Sequence, residues 1–591
     1  LLRCRLLRCR LLRCRLLRFN FLRFSFLGCR LFRCRLLRFS FLSRRLLGLS
    51  FLGCGLLGTS FFSCRFLRRR LLRCSLLRSR LLRVRILICC LCSRRIFLSQ
   101  IEGLPARSTQ IQNETYENQV RPRNRVLPGQ RRGASICPVA GRRRLIQMNL
   151  NTYKPFQSLK NWRFVTGWTL ELYDRVRHEG EVADRCLASF LRSNPQIGSR
   201  NRRALGDLLF NTLRWDLACD TLADRGVLDE PCRDAFRLAG GLILAMGQQA
   251  PALSELTQYL ELSSQEQNAL VTLTHLQKHD VDPIWTTGLS PFLIKELTDA
   301  LDGEGFQQLA ATLLRTGPIW LKTRAANETQ EILNGLRQQG MDVETLPALP
   351  GTLRLSKRGP LQQHKAFRKG RFWIQDLGSQ LISRLVAPAP NHRVLDACAG
   401  AGGKSLFLLS EYPKLDLSAW DVDARRLANL KKRLKRSQFR PIPVQSIQEE
   451  GKLPAAPGSF DRVLIDAPCS GSGTIGAHPE IRRRITAKRI AEETNRQGKI
   501  LRRFAPLVRP GGRLIYATCS MLRAENEERI TAFLEENKDF QLVPAAIVLG
   551  EEIATRFDQH LYLRLWPHRH GCDGFFAAVL QRSGEGSSTL K

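Results

Sequence analysis

Between residues 391 and 582 short apolar runs alternate with stretches of helical periodicity, and that alternation leaves few folds open. The segments 393–397, 416–420, 462–466 and 512–517 read as strands, and 572–581 is expected to end the sheet. Strand–helix alternation argues a parallel sheet with helices on both faces, an α/β domain. In such a sheet ligands bind beyond the carboxyl ends of the strands, so the turns that follow each run are where chemistry is sought.

The turn after the first run reads Val394-Leu395-Asp396-Ala397-Cys398-Ala399-Gly400-Ala401-Gly402-Gly403-Lys404. Glycine there permits tight backbone angles and close approach to a ligand. A lone glycine-rich turn fits many nucleotide binders. The second run adds weight because it ends Ala419-Trp420-Asp421, and an acid at that tip accepts hydrogen bonds from ribose hydroxyls. This fits NAD as well as S-adenosylmethionine. Asp421 also suits a helix N-cap, a role that Asp423 can fill instead.

Two cysteines follow later runs. Cys469 lies in Val463-Leu464-Ile465-Asp466-Ala467-Pro468-Cys469-Ser470-Gly471, and Cys519 in Leu514-Ile515-Tyr516-Ala517-Thr518-Cys519-Ser520. One isolated cysteine is usually an ordinary buried side chain. Two at strand tips of a cofactor sheet point instead to methyl transfer through a cysteine adduct. Cytosine C5 is a poor nucleophile; a thiolate added at C6 makes C5 enamine-like. That chemistry needs a reactive thiol, a group to stabilise charge at N3 and a base. Asp466 supplies an acid beside Cys469, and Lys404 or the N–H groups of a following helix are placed to lower a thiol pKa. Amino-group methylation would favour an Asn/Asp-Pro-Pro-Tyr strand end, where this chain has Asp466-Ala467-Pro468-Cys469.

The formal charge of +42 is misleading taken whole, because residues 1–147 carry +31 of it and leave +11 for the rest. A moderate basic excess suits an enzyme that grips a phosphate backbone. Residues 1–85 repeat with a period of five (LLRCR, LLRCR, LLRCR, LLRFN). A β-solenoid or a basic nucleic-acid-binding arm are two readings. The stronger one is translated upstream repetitive DNA, disordered or not native: residues 1–100 hold 25 Arg and no Lys, Asp or Glu. Globular sequence is expected to start at Met148, the first methionine. Eleven of the 19 cysteines fall in residues 1–100, and the seven beyond Met148 show no C-x-x-C spacing. They imply free thiols in a reducing, cytoplasmic setting and no metal site. The run 86–92 is far short of a bilayer span.

Residues 150–290 carry helical spacing, as in Ala183-Asp184-Arg185-Cys186-Leu187-Ala188-Ser189-Phe190-Leu191, and read as a helical bundle. Arg200, Arg202 and Arg203 open one helix, as a solvated end or an RNA-backbone contact. Residues 291–384 read as an α/β linking region, with a strand near 318–324 and a helix from Glu328 to Gln339. Gln375-Asp376-Leu377-Gly378-Ser379-Gln380 heads a further helix, and the last domain spans 385–582.

These motifs together bring a family into view. From about residue 150 to 582 the chain resembles bacterial RNA cytosine-5 methyltransferases of the RsmB/Sun family. The matching segments are Gln375-Asp376 with Ser379-Gln380, the turn from Asp396 to Lys404, Asp421, Asp466 to Gly471, His478-Pro479-Glu480, Tyr516 to Ser520 with Glu525-Asn526, and Trp566-Pro567-His568 with Asp573-Gly574-Phe575-Phe576. The resemblance implies a Rossmann-like class I methyltransferase domain preceded by an all-α domain similar to the antitermination factor NusB. It implies S-adenosylmethionine held by Cys398, Ala399, Gly400, Ala401, Gly402, Gly403, Lys404, Asp421 and Asp466. It implies that Cys519 attacks C6 and that Cys469 assists product release, whereas DNA cytosine-5 methyltransferases use the Pro-Cys thiol as nucleophile. Catalytic residues are then Cys519, Cys469 and Asp466. The partner implied is RNA, ribosomal or transfer, with no DNA and no membrane.

Three positions depart from the family pattern. Gly400 and Ala401 stand where Ala-Pro is usual. After the third strand Gln448 replaces the usual adenine-contacting acid, with Glu449 nearest. Arg482, Arg483 and Arg484 stand where an aromatic follows the His-Pro-acid segment, and read as a solvated basic helix or as phosphate contacts. A competing function is a non-catalytic RNA-binding or ribosome-assembly factor that keeps the fold.

Overall fold

A computed structural model describes residues 162–584, apart from 230–231, 247–256, 280–281 and 357–358. The pentad repeats, the 1–147 segment and the expected start at Met148 lie outside the described residues.

The described chain begins with helices: α1 (Trp162–Arg177), α2 (Ala183–Ser193), α3 (Ser199–Asp224), α4 (Asp234–Met246) and α5 (Ser264–His279). Their inward stripes follow the 3.6-residue repeat, as Ala183, Cys186 and Phe190 do on α2 and Leu205, Leu208, Leu209 and Leu213 on α3. Cys186, Cys219 and Cys232 are buried in this core as free thiols. Two more helices follow, α6 (Pro291–Ala300) and α7 (Gly303–Leu313), each capped by a side chain at its start, Ser290 and Asp302.

A small antiparallel sheet comes next, built of β1 (Ile319–Thr323), β2 (Val343–Thr345), β3 (Thr352–Leu355) and β4 (Phe372–Ile374) in the order β2-β3-β1-β4. Helix α8 (Thr329–Gln338) covers it with Ile332, Leu333 and Leu336. Helix α9 (Leu377–Leu385) starts at Asp376, whose carboxylate accepts from Gly378 N at 2.8 Å.

The main sheet contains β5 (Arg393–Asp396), β6 (Asp416–Asp421), β7 (Val444–Ser446), β8 (Phe460–Asp466), β9 (Val508–Thr518), β10 (Phe540–Val543), β11 (Leu563–Leu565) and β12 (Phe575–Arg582). Its order is β10-β12-β9-β8-β5-β6-β7, with β11 beside β12. Helices α10 (Gly403–Glu411), α11 (Ala424–Arg436), α12 (Ala487–Phe504) and α13 (Glu527–Glu536) cover it. Alternate strand residues feed different cores. Val394, Leu464 and Ile515 pack on one face with α10 and α11; Leu395, Val463, Ile465 and Leu514 pack on the other with α12 and α13. That double burial is why these strands read as continuous apolar runs.

Two expectations need correction. The sheet is mixed, not parallel: β12 runs antiparallel to both β9 and β10. Nor does the segment 572–581 end it, because β12 is inserted between β9 and β10 and the edge falls to β10. A strand that arrives by a hairpin-like return, through β11, is under no obligation to cross over and run parallel. Among the described residues no helix is long and apolar enough to cross a membrane.

Candidate active site

Three acids close three neighbouring strands: Asp396 ends β5, Asp421 ends β6 and Asp466 ends β8. The chain steps from β5 to β6 and β7 on one side and to β8 and β9 on the other, so strand order reverses between β5 and β8. The loops leave in opposite directions there and open a crevice, the usual seat of a nucleotide-type ligand.

The glycine turn lines one wall. Gly400 N donates to Asp421 Oδ2 at 2.7 Å, and Asp423 N donates to Asp421 Oδ1 at 2.7 Å. Asp423 is the N-cap of α11, accepting from Arg425 N and Arg426 N. Gly402 has φ +78°, and a Cβ there would collide with Leu430 of α11, so only glycine fits. Ala401 is exposed and its carbonyl accepts from Arg433 at 2.8 Å, while the Cys398 side chain packs against the core. Asp396 accepts from Ser405 Oγ at 2.6 Å; burial pushes its carboxyl up to about 7. Lys404, 7 % exposed, reaches across to Asp466 Oδ2 at 2.5 Å and joins the turn to the cysteine loop.

The two thiols meet. Cys469 Sγ lies 3.4 Å from Cys519 Sγ. The loops that carry them are tied together by one buried carboxylate. Glu525 accepts from Ser470 N at 2.8 Å, Ser470 Oγ at 2.6 Å, Ser520 Oγ at 2.5 Å and Gln497 Nε2 at 3.0 Å. Asn526 holds the β9 end, accepting from Thr518 Oγ1 at 2.6 Å and donating to Ser520 O at 2.9 Å. Gly473 N donates to Cys519 O at 3.0 Å and Gly574 N donates to Gly473 O at 2.8 Å. A Cβ on Gly473 would run into the Gly574 backbone, so the two glycines set how closely the segments approach. The hydrogen bond to Cys519 and burial push the Cys469 thiol well up, which keeps it an S–H donor.

More titratable groups crowd alongside. Asp573 N donates to Asp376 Oδ2 at 3.2 Å. Burial raises both of these carboxyls, and the repulsion from Asp376 raises Asp573 further. His478, 3.7 Å from Glu480, is raised by that carboxylate.

The single turn Ile481–Arg484 corrects a further expectation. Its arginines are neither a solvated face nor open to phosphate. Arg482, fully buried, donates to Thr287 O at 2.5 Å and Leu313 O at 2.7 Å. Arg483 binds Asp216 at 3.1 Å and Asp220 at 2.6 Å, on α3. Arg484 donates to Val176 O at 3.2 Å and Glu181 O at 3.0 Å. Glu480 accepts from Ala183 N at 3.2 Å. The segment that leaves the Cys469 loop is thereby bolted to the helical region. Backbone carbonyls near the ends of distant helices and two carboxylates on α3 supply the partners, and no local pattern around residues 481–484 announces them. Arg202 likewise folds back on Ile197 O and Pro195 O, whereas Arg200 and Arg203 are exposed. Glu449 pairs with Arg496 at 2.9 Å.

Of the residues singled out in the sequence, the structure gathers Cys469, Cys519, Asp466 and Lys404 at one crevice and sets the glycine turn and Asp421 at its other wall. Gln497 and the anchoring roles of Glu525 and Asn526 escape a reading by motif. Their signal is weak, a polar residue on an otherwise inward helical face in the case of Gln497.

A mixed α/β sheet with this crevice and paired thiols at its mouth defines a Rossmann-like methyltransferase domain. A family model described as 16S rRNA methyltransferase RsmB/F matches residues 383–581. The ribosomal RNA small subunit methyltransferase B of Xanthomonas campestris is 34% identical over 286 residues, 48% of this chain and 64% of that protein. That of Pasteurella multocida is 32% identical over 308 residues, 51% of this chain and 67% of that protein. That of Erwinia tasmaniensis is 28% identical over 445 residues, 72% of this chain and 99% of its own. The chain thus aligns with just under two thirds of the Xanthomonas relative's length. In structure it is similar to the protein PH0851, with a TM-score of 0.58 at 23% identity over 70% of this chain and 98% of that one, which shows the fold. The chain belongs to the RsmB/F family.

Proposed function

We propose that this chain transfers a methyl group from S-adenosylmethionine to C5 of a cytosine in RNA, with 16S ribosomal RNA the favoured substrate and a Cys519–C6 adduct as the intermediate. The observation that carries this reading is the 3.4 Å approach of two thiols beside a nucleotide-type crevice. The relatives' names support the RNA class. On this reading the helices before α6 form a NusB-like RNA-binding domain and the protein works in the cytoplasm, on neither DNA nor membrane.

The crevice fits the cofactor. Each oxygen of Asp421 accepts one backbone N–H and retains a lone pair for a ribose hydroxyl. Asp396 leaves Oδ1 buried and without a partner next to the same turn. Cys398, Ala399, Gly400, Ala401, Gly402, Gly403 and Lys404 would border the cofactor, with Asp421 on the ribose and Asp466 toward the base. When bound, S-adenosylmethionine supplies an electrophilic methyl on a sulfonium.

The protein's own residues do the rest. Cys519 as thiolate bonds to C6, and the displaced electron pair moves to C5 and O2–N3. Lys404, ion-paired with Asp466, stabilises negative charge on the pyrimidine. After methylation the C5 proton leaves to a base, its electron pair re-forms the C5–C6 double bond, and the Cys519–C6 bond breaks. Cys469 stays protonated and donates its S–H to the departing thiolate, which makes that thiolate a better leaving group. The test is methyl transfer from labelled S-adenosylmethionine to total RNA. The wild type is expected to label a cytosine and Cys519→Ala none; full turnover by that variant would end the mechanism. No transfer by the wild type, with RNA still bound, would favour the assembly-factor reading.

A further inference from the structure

A cleft of about 410 Å³ lies between the four-stranded sheet and the segment before β12. That volume is in the range of ligand sites. Trp320, Arg354, Arg556, Arg569, His570 and Gly571 line it. Its walls are already braced from within. Trp320 Nε1 donates to Gly571 O at 2.9 Å, and His570 Nε2 meets Phe557 O at 3.0 Å. Arg354 pairs with Glu344 at 2.5 Å and sits over the Trp320 ring, 6.0 Å from its centre. Arg556 and Arg569 differ. Both are exposed, and among the described residues neither has an ion pair or a side-chain hydrogen bond. Arg569 extends toward the start of α7 near Gly305, and Glu344, the acid of the lining, is taken up by Arg354. Two exposed arginines without partners on one cleft, beside the Trp320 ring, make a site for anionic oxygens.

The cleft also connects to the thiols. Its floor residue Gly571 is three positions from Gly574, a reach of at most about 11 Å. Gly574 N binds Gly473 O, and Gly473 N binds Cys519 O. A strand whose target base sits at Cys519 therefore has its neighbouring nucleotides within range of the two arginines.

We infer that this cleft is a second RNA site, in which Arg556 and Arg569 take phosphodiester groups of the substrate strand a few nucleotides from the target cytosine. The inference rests on the reading of the chain as an RNA methyltransferase. Phosphodiesters are favoured over a free anion because both arginines are exposed and the cleft adjoins the cysteine loops through Gly574.

The test compares two RNAs methylated by the full-length wild type: a long fragment, and the same fragment trimmed to the nucleotides next to the methylated cytosine. Arg556→Gln/Arg569→Gln is expected to lower the ratio of kcat/KM for long over short RNA about tenfold, mostly in KM. It should also flatten the salt dependence of long-RNA binding by about 1.4 in log–log slope, two single-strand phosphates' worth. Arg556→Glu/Arg569→Glu should deepen both effects. An unchanged ratio and slope, or an equal loss on both RNAs, would overturn the inference. Wild-type protein that methylates neither RNA would instead defeat the functional reading.

Discussion

Cys469 Sγ and Cys519 Sγ lie 3.4 Å apart although 50 positions separate them, because β8 and β9 are parallel neighbours whose registers pair Asp466 with Ala517. Cys469 follows the end of β8 by three residues and Cys519 directly follows β9. Parallel pairing therefore brings both turns to the same edge of the sheet, over the crevice.

A thiol that donates to a departing thiolate matters at release. Cys469→Ala is expected to form the RNA adduct and fail to resolve it, leaving a covalent complex that survives denaturing electrophoresis. A variant that turns over normally, with no trapped band, would contradict the assignment.

Glu525 ties both cysteine loops through four donors from Ser470, Ser520 and Gln497. Glu525→Gln replaces an acceptor oxygen with an N–H₂ group among donors. A loss of roughly 2–4 kcal/mol in urea unfolding is expected. Adduct formation should fall with it, since the loops lose their common anchor.

Arg483 sits between Asp216 and Asp220, with Asp216 nearly inaccessible. Arg483→Glu sets a third carboxylate against Asp216 and Asp220, which keep Arg177 and Arg237 as partners, and should cost about 1–3 kcal/mol. Asp216→Arg combined with it is expected to recover part of that loss in a double-mutant cycle of thermal unfolding. Strict additivity would mean that the pair does not join the two regions.

Burial raises Asp396 to about 7 from an unfolded value near 3.9. The folded state then holds a proton that the unfolded state has lost between those values. Stability from this group is full below about pH 4 and drains as pH rises to 7. Asparagine does not titrate. The stability of Asp396→Asn relative to wild type should therefore improve across that window, by up to about 1.4 kcal/mol per pH unit. A pH-independent difference would show that Asp396 stays ionised.

What the amino-acid order determined by itself was local. Apolar runs doubly covered by helices announced β5, β6, β8 and β9, and the residues directly after them announced the glycine turn, Asp421 and both thiols. These signals survive because strand, turn and helix N-cap each depend on near neighbours in the chain. Tertiary structure decided the rest. The antiparallel return of β12, the four donors on Glu525 and the burial of Arg482, Arg483 and Arg484 all depend on partners as much as 308 residues away. A guanidinium in isolation reads as solvated, and only the fold brings the helix-end carbonyls and carboxylates that give it hydrogen-bond partners once buried.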